Sequence, residues 1–471
     1  MSALEPSPLV LRPYQSTAVA ALRQAYAAWY RAPLLQLPTG GGKTVIFAEI
    51  ICCAHSKGHR VLVLVHRREL IHQACDKLDW AGVSYGVIAP GFATKPAELV
   101  QVGSVQTVRR RLASLPEFDF IVLDEAHHIR AKTWIKVIQS QPQAKLLGVT
   151  ATPARLDGRG LGERADGIFD VLICGPTVRQ LIDDGYLSPI RVFVPQRRLD
   201  LSGVKVRAGD YIPSELADRI DQPVIAGDAI EQYRRLADHQ PAIAFCATVA
   251  HAKHVAIAFD KAGYRSAYVH GGLKRKVRDQ LIAGLGTGEI EVLTSCDLIS
   301  EGLDVPTVGA VILLRPTKSL AIHLQQIGRG MRPAPGKSAL IVLDHVSNTL
   351  KHGLPDLDRV WTLDGIEKNK GNAPVKVYPE CGAVCALNAP ECDTCGHQFD
   401  ECDGRREAPI EIPDELDEIT AERLAAIRSM PYRLIVNSRL SERELQEYAR
   451  HRGYKPGWVW YRLREQAEAV Q

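Results

Sequence analysis

Between about residues 9 and 365 the chain repeats one pattern: a short, almost wholly apolar run, a segment of helix length, then another apolar run. The runs are PLLQL (33–37), RVLVLV (60–65), FIVLD (120–124), KLLGVT (145–150), AIAFC (242–246), EVLTS (291–295), AVILL (310–314) and ALIVLD (339–344). A strand with one wet face alternates apolar and polar residues, whereas a run apolar on both faces must be covered above and below. That is the condition of a parallel sheet sandwiched by helices. The pattern lapses between roughly 154 and 240, where polar, glycine-rich sequence such as ARLDGRGLGE intervenes, and then resumes. Two consecutive α/β domains satisfy this better than one oversized sheet, and 471 residues suffice for two to four domains. Past 365, DGIEKNKGNAP reads as a linker, a cysteine cluster follows, and the remainder is helical.

One strand-to-helix junction carries chemistry. LLQLPTGGGKTVIFAEII is a strand, a glycine loop, and a helix starting near Lys43. Such a loop aims several backbone N–H groups and a helix N-terminus at one spot, which suits phosphate oxygens. Lys43 would reach the terminal phosphates and the Thr44 hydroxyl would hold Mg²⁺. Leu37 stands where the standard phosphate loop has its first glycine, so the strict pattern fails by one position. FDFIVLDEAHH supplies a second half: a strand delivers Asp124 and Glu125 at its carboxyl end, where open α/β sheets bind ligands. Asp124 can hold Mg²⁺ through water, and Glu125 can polarise the attacking water. His127 and His128 invite a metal reading, but no H-E-x-x-H spacing exists here, and ordinary histidines at a helix start account for them as well.

With these residues in place, the chain resembles the superfamily 2 helicases of DEAD/DEAH type, in order over most of residues 9–335. LRPYQSTAV resembles the segment around an adenine-reading glutamine, here Gln15, with Arg12 beside it. LPTGGGKT is similar to the helicase form of motif I, which explains the missing glycine and assigns Thr39, Gly40, Gly41, Gly42, Lys43 and Thr44 to the nucleotide. LVLVHRRELIHQ and VQVGSVQTV resemble motifs Ia and Ib, which line the nucleic-acid track in the family. LDEAH is similar to motif II. GVTATPAR resembles motif III, so that Thr150 and Thr152, with His127, would couple nucleotide state to domain movement. AIAFCATVAHA resembles motif IV, and LTSCDLISEGLDVP motif V, with Gly302 and Asp304 near the nucleotide. QQIGRGMRP (325–333) matches the family's Q-x-x-G-R-x-x-R, placing Gln325 at the nucleotide and making Arg329 and Arg332 arginine fingers supplied within one chain.

A nucleic-acid partner has to be argued from patches, because 58 basic and 54 acidic side chains leave a net charge of only +4. RRR (109–111) and KRKVR (274–278) could touch phosphates, or could be solvated surface. Residues 411–422 are acidic, whereas 423–464 carry ten Arg/Lys against three acids, interleaved with Tyr448, Tyr454, Trp458, Trp460 and Tyr461. That segment could stack bases; equally, it could be a small helical domain with an aromatic core. The ending also looks similar to the tails of phage- and prophage-type helicases.

Five of the eleven cysteines fall between Cys381 and Cys402. YPECGAVCALNAPECDTCGHQF resembles a zinc ribbon, except that Tyr378 stands where the first ligand belongs. Structural Zn²⁺ takes four ligands, and Cys381, Cys385, Cys392 and Cys395 are the expected set, with His397 and Cys402 behind Cys385. Nothing at the N-terminus reads as a secretory signal, and no apolar run is long enough to span a bilayer, so a cytoplasmic protein is expected.

The resemblance therefore implies two tandem RecA-like parallel-sheet domains, at 1–188 and 189–365. A linker and zinc-ribbon-like module follow at 366–404, and a helical basic and aromatic region at 405–471. The implied activity is ATP-dependent, Mg²⁺-assisted nucleic-acid unwinding. DNA, single-stranded or duplex, is favoured because LRPYQ and GRGMRP look like the DNA-repair and restriction branch. The alternatives are a duplex-DNA translocase, an RNA helicase, or a nucleic-acid-binding adaptor with a vestigial motor. No sequence feature points to a membrane, a fused nuclease or a particular protein partner.

Overall fold

The computed structural model describes residues 10–66, 68–129, 132–155, 158–194, 201–207, 209–221, 223–296, 305–365, 375–378, 381–387, 389–392, 394–398, 427–437, 440, 442–454, 458–459 and 461–463. The chain forms two compact units, Met1–Gly404 and Arg405–Gln471.

The first sheet follows helix α1 (Pro13–Ala27). Its strands are β1 (Pro33–Gln36), β2 (Val61–Val65), β3 (Tyr85–Ile88), β4 (Val100–Ser104), β5 (Phe120–Asp124), β6 (Lys145–Thr150) and β7 (Val171–Cys174). Helices α2 (Lys43–Ser56), α3 (Arg68–Trp80), α4 (Val105–Arg110) and α5 (Lys132–Gln139) connect them. All pairings are parallel, in the order β3-β4-β2-β5-β6-β1-β7. The β2 run shows why alternation is missing. Val61, Val63 and Val65 enter one buried cluster while Leu62 and Leu64 enter another on the opposite face.

A second parallel sheet begins after α6 (Val178–Asp183) with β8 (Ile190–Phe193). A ribbon, β9 (Val206–Arg207) and β10 (Asp210–Tyr211), precedes α7 (Pro213–Ile220) and α8 (Pro223–Ala237). Then come β11 (Ala242–Cys246), α9 (Val249–Lys261), β12 (Ser266–Val269), α10 (Arg275–Thr287), β13 (Val292–Cys296) and β14 (Ala310–Leu313). α11 (Leu320–Gly328), β15 (Leu340–Asp344) and α12 (Asn348–His352) complete it, with strand order β12-β13-β11-β14-β15-β8. Again successive residues serve opposite cores: Ile243 and Phe245 on one face, Ala242, Ala244 and Cys246 on the other.

After α12 the chain turns back to the first sheet's domain. Arg359 gathers this return into a fixed shape by donating to the carbonyls of His352, Leu354, Pro355 and Leu357 at 2.8–3.2 Å. Leu363 then packs on the first sheet's core, and its carbonyl accepts from Leu161 N and Gly162 N, both at 2.9 Å. Glycine is required at 160, where a Cβ would stand 1.9 Å from Leu363 O.

A small antiparallel pair, β16 (Val375–Val377) and β17 (Val384–Ala386), carries the cysteine-rich segment. Val194 N donates to Gly382 O at 3.1 Å, so the module lies along the β8 edge. Tyr378, Ala383, Cys385 and Cys392 join the second sheet's core. The second unit holds α13 (Tyr432–Asn437) and α14 (Glu442–Arg452), closed on a core that includes Ile435, Leu445 and Tyr448.

Candidate active site between the two sheets

The loop joining β1 to α2 is built from three glycines and one leucine with separate tasks. Gly40 and Gly42 have φ of 85° and 78°, the left-handed region that side chains resist. Gly42 caps α2, so that helix's unpaired first-turn N–H groups face the loop. Leu37, the apparent departure from the phosphate-loop pattern, is fully buried in the first sheet's core. It roots the loop there, which glycine could not do. Lys43 opens α2, and its Nζ donates to Leu37 O at 3.2 Å.

β5 ends in Asp124, and Glu125 follows with φ 49° and ψ 55°. A non-glycine residue there costs about 1–3 kcal/mol, and such strain persists only where surroundings over-determine it. The Glu125 N–H donates to Asp124 Oδ1 at 2.9 Å, and its nearly buried carboxylate has Oε2 3.4 Å from His127 Nδ1.

The hydrogen bonds fix the His127 tautomer. Thr150 Oγ1 donates to Thr152 O at 2.9 Å and accepts from Thr152 N, so towards His127 Nδ1, 3.1 Å away, it can only accept. Nδ1 therefore carries the proton. Nε2 is left as acceptor, and it faces the Gln325 amide nitrogen at 3.3 Å. Thr150, Thr152, His127 and Gln325 are thus joined from the first sheet to α11 of the second domain.

Two close approaches seal the same cleft. A Cβ on Gly328 would lie 2.4 Å from Thr39 Cβ, and one on Gly40 would lie 2.9 Å from Leu187 and 3.9 Å from Arg332 Cγ. Burial above all pulls the Lys43 ammonium below its usual pKa. Glu125 and Asp124 pull it back up, while Arg329 and Arg332 push it down. One ammonium feels the glycine loop, the β5 carboxylates and the arginines after α11, so residues nearly three hundred positions apart converge on one point.

Gln15 lies beneath the loop. Its Oε1 accepts from Arg12 N at 2.9 Å and its Nε2 is 3.5 Å from Gly42 O. Sequence reasoning missed its companions. The Tyr14 hydroxyl donates to Gly41 O at 2.9 Å, Tyr14 meets Tyr186 edge-on at 5.1 Å, and Arg12 lies 4.7 Å over the Tyr186 ring. Tyr14 was visible inside LRPYQ, but nothing near Tyr186 marked it. Gly302 and Asp304 lie outside the described residues, as do Trp460 and Cys402.

Of the four expected zinc ligands, three converge: the thiols of Cys381, Cys392 and Cys395 lie within 4.8 Å of one another. Gly382 and Gly396 both take φ 71°, forming the two knuckle turns. Cys385, the fourth expected ligand, is not among these three. It sits on β17, buried in the second sheet's core. His397 stacks on Tyr378 at 4.3 Å.

The basic patches differ in use. Arg109, Arg110 and Arg111 are exposed. Arg275 pairs with Asp279 and also meets the His72 ring of α3 across the cleft at 2.7 Å. In the second unit Tyr448 is core, Trp458 is half-buried against it, and Tyr432, Tyr454 and Tyr461 are exposed. No helix among the described residues is long and apolar enough to cross a membrane.

A glycine phosphate loop, a strand-end carboxylate pair and a second domain that closes over both define a nucleotide-driven motor of two RecA-like domains. Residues 8–155 match the family described as type III restriction enzyme, res subunit, and residues 227–334 match the helicase conserved C-terminal domain. A Lactococcus phage protein, named only by its mass of 51.5 kDa, is 36% identical over 372 residues, 78% of each chain. A Saccharomyces cerevisiae protein provisionally named ATP-dependent helicase IRC3 is 30% identical over 72% of this chain, which spans 51% of that protein's length. Among solved structures, a fragment provisionally assigned as an HsdR subunit of a type I restriction enzyme from Vibrio vulnificus aligns with a TM-score of 0.57 and 25% identity. That alignment covers 73% of this chain and 66% of the other. The chain belongs to the superfamily 2 helicases, ATP-hydrolysing enzymes that act on nucleic acid.

Proposed function

We propose that this chain couples ATP hydrolysis in the cleft to movement along DNA and to separation of its strands. Lys43 and the loop N–H groups bind the β- and γ-phosphates, and Thr44 and Asp124 hold Mg²⁺. Glu125 orients the attacking water, while Arg329 and Arg332 stabilise the charge on the transferring phosphoryl group. The observation that carries this reading is the convergence on Lys43 of charges from both domains, with Gln325 and His127 in contact beside it. The restriction-enzyme likenesses favour DNA as the track.

The steady-state ATPase rate of the purified chain, alone and with single-stranded DNA, duplex DNA or RNA at fixed salt, tests this directly. Stimulation by DNA of either form is expected, and duplex-only stimulation without strand separation would replace unwinding by translocation. Stimulation by RNA alone would reverse the choice of track. Equal rates in all four conditions, or none, would reject a nucleic-acid motor in favour of a binding protein.

Three soft thiolates on two glycine knuckles fit Zn²⁺, which would tie the cysteine-rich hairpin to itself and to the β8 edge. Among the described residues no fourth ligand joins Cys381, Cys392 and Cys395. Replacing Cys392 and Cys395 together by serine is expected to lower zinc from about one ion per chain to near zero, read by elemental analysis. Metal content unchanged by the double substitution would remove the assignment.

A further inference from the structure

Three histidine rings touch in series behind the hydrolytic carboxylate. β2 and β5 are neighbours in the first sheet, with Leu64 opposite Leu123, so the residues just past their ends emerge side by side. From β2 comes His66; from the short 3₁₀ turn after β5 come His127 and His128. The His66 and His128 rings lie 4.2 Å apart at 48°, and His128 and His127 lie 4.1 Å apart at 41°. His127 continues the path, with Nδ1 3.4 Å from Glu125 Oε2 and Nε2 3.3 Å from Gln325.

We propose that the His66–His128–His127 stack transmits nucleic-acid occupancy at the carboxyl end of β2 to Glu125. His66 lies two residues before the start of α3, the helix that opens with Arg68 and packs against β4 and β2. A ligand pressing on that junction moves the first ring of a contiguous column, and packed rings shift together because no void separates them. The far end of the column abuts a residue in the left-handed region at φ 49°, whose carboxylate direction depends on its neighbours. A small displacement there re-aims the group that must face water. The column thus favours the hydrolytic arrangement only when the track is filled. The inference rests on the proposed reading of this protein as a nucleic-acid-stimulated ATPase.

The test uses the full chain and the variants His128→Ala, His128→Phe and His66→Ala. ATPase is measured without nucleic acid and at saturating single-stranded DNA, and DNA affinity by fluorescence anisotropy at the same salt. For His128→Ala the expected result is a basal rate and affinity within about twofold of wild type, with stimulation reduced about tenfold, inside the usual range of coupling between sites. His128→Phe keeps a ring in the column and is expected to restore most of the stimulation, which a folding defect or a lost proton donor would not predict. His66→Ala should lose stimulation at saturating DNA, so that weaker binding cannot account for it. Undiminished stimulation in both alanine variants overturns the proposal, as does a basal rate that falls in parallel with the stimulated one. A wild-type chain that no nucleic acid stimulates overturns the motor reading itself, a result distinct from a stimulated wild type with indifferent variants.

Discussion

Replacing Glu125 by glutamine should lower ATP turnover by about a thousandfold while leaving ATP bound, the middle of the range for removing a positioned acid–base group. Glutamine preserves the size and shape of the side chain and removes its charge and basicity. The backbone that holds residue 125 is independent of that charge, since it is fixed by β5 and by the bond from its N–H to Asp124 Oδ1. Folding should therefore be spared, and fluorescent-nucleotide binding alongside phosphate release separates the two effects. A variant that hydrolyses ATP within tenfold of wild type would take Glu125 out of the role. Lys43→Ala should also abolish turnover, but by losing nucleotide affinity, and the contrast between the two variants distinguishes chemistry from binding.

The second large effect is expected at the arginine turn. Arg332→Ala should reduce kcat by about 10³-fold with a much smaller change in KM, because an arginine finger acts on charge that develops in the transition state. The side chain can be removed without dismantling the turn, which is also held through its main-chain carbonyls and by buried Met331. Arg332 O accepts from Ser188 Oγ at 3.2 Å and from Lys337 Nζ at 2.8 Å, and Met331 O accepts from Ser188 N at 2.7 Å. Lys337 is itself brought by burial to a pKa of about 8 and donates to the carbonyls of Gly330 and Arg332. Arg332→Lys should recover little, since a point charge lacks the planar fork. A kcat within a few-fold of wild type for Arg332→Ala, and likewise for Arg329→Ala, would mean that the γ-phosphate is neutralised from the first domain alone.

The eight strands legible in the sequence are the well-covered ones; those missed are mostly the edges. β3 and β7 bound the first sheet, β12 and β8 the second. An edge strand is paired on one side and partly wet: β7 (VLIC) and β12 (SAYV) both carry half-exposed residues, and SAYV has no long apolar run. β4 was hidden otherwise. Its Gln101 looks like a surface residue but is buried, with its amide donating to Lys95 O and Glu98 O at 2.9 Å. The candidate site was readable because its parts are contiguous strings at strand ends. What the string could not carry was which thiols meet: those of Cys381, Cys392 and Cys395 lie within 4.8 Å of one another, and Cys385 on β17 is not in that group. Nor could it carry the ring contacts that join His66 to His128 across two neighbouring strands.

The return of residues 353–365 to the first domain changes the mechanics of the pair. Two bodies joined by a single flexible connection can swivel in any direction and drift apart. Here the chain crosses between the sheets between β7 and β8, again where Leu363 O takes the amides of Leu161 and Gly162, and once more to set β16 and β17 along the β8 edge. A body held at several points turns in fewer directions than one held by a single link, so opening of the cleft is expected to follow a narrower path. It also keeps the halves within reach after each turnover, so reclosure on fresh ATP is an intramolecular event at high effective concentration.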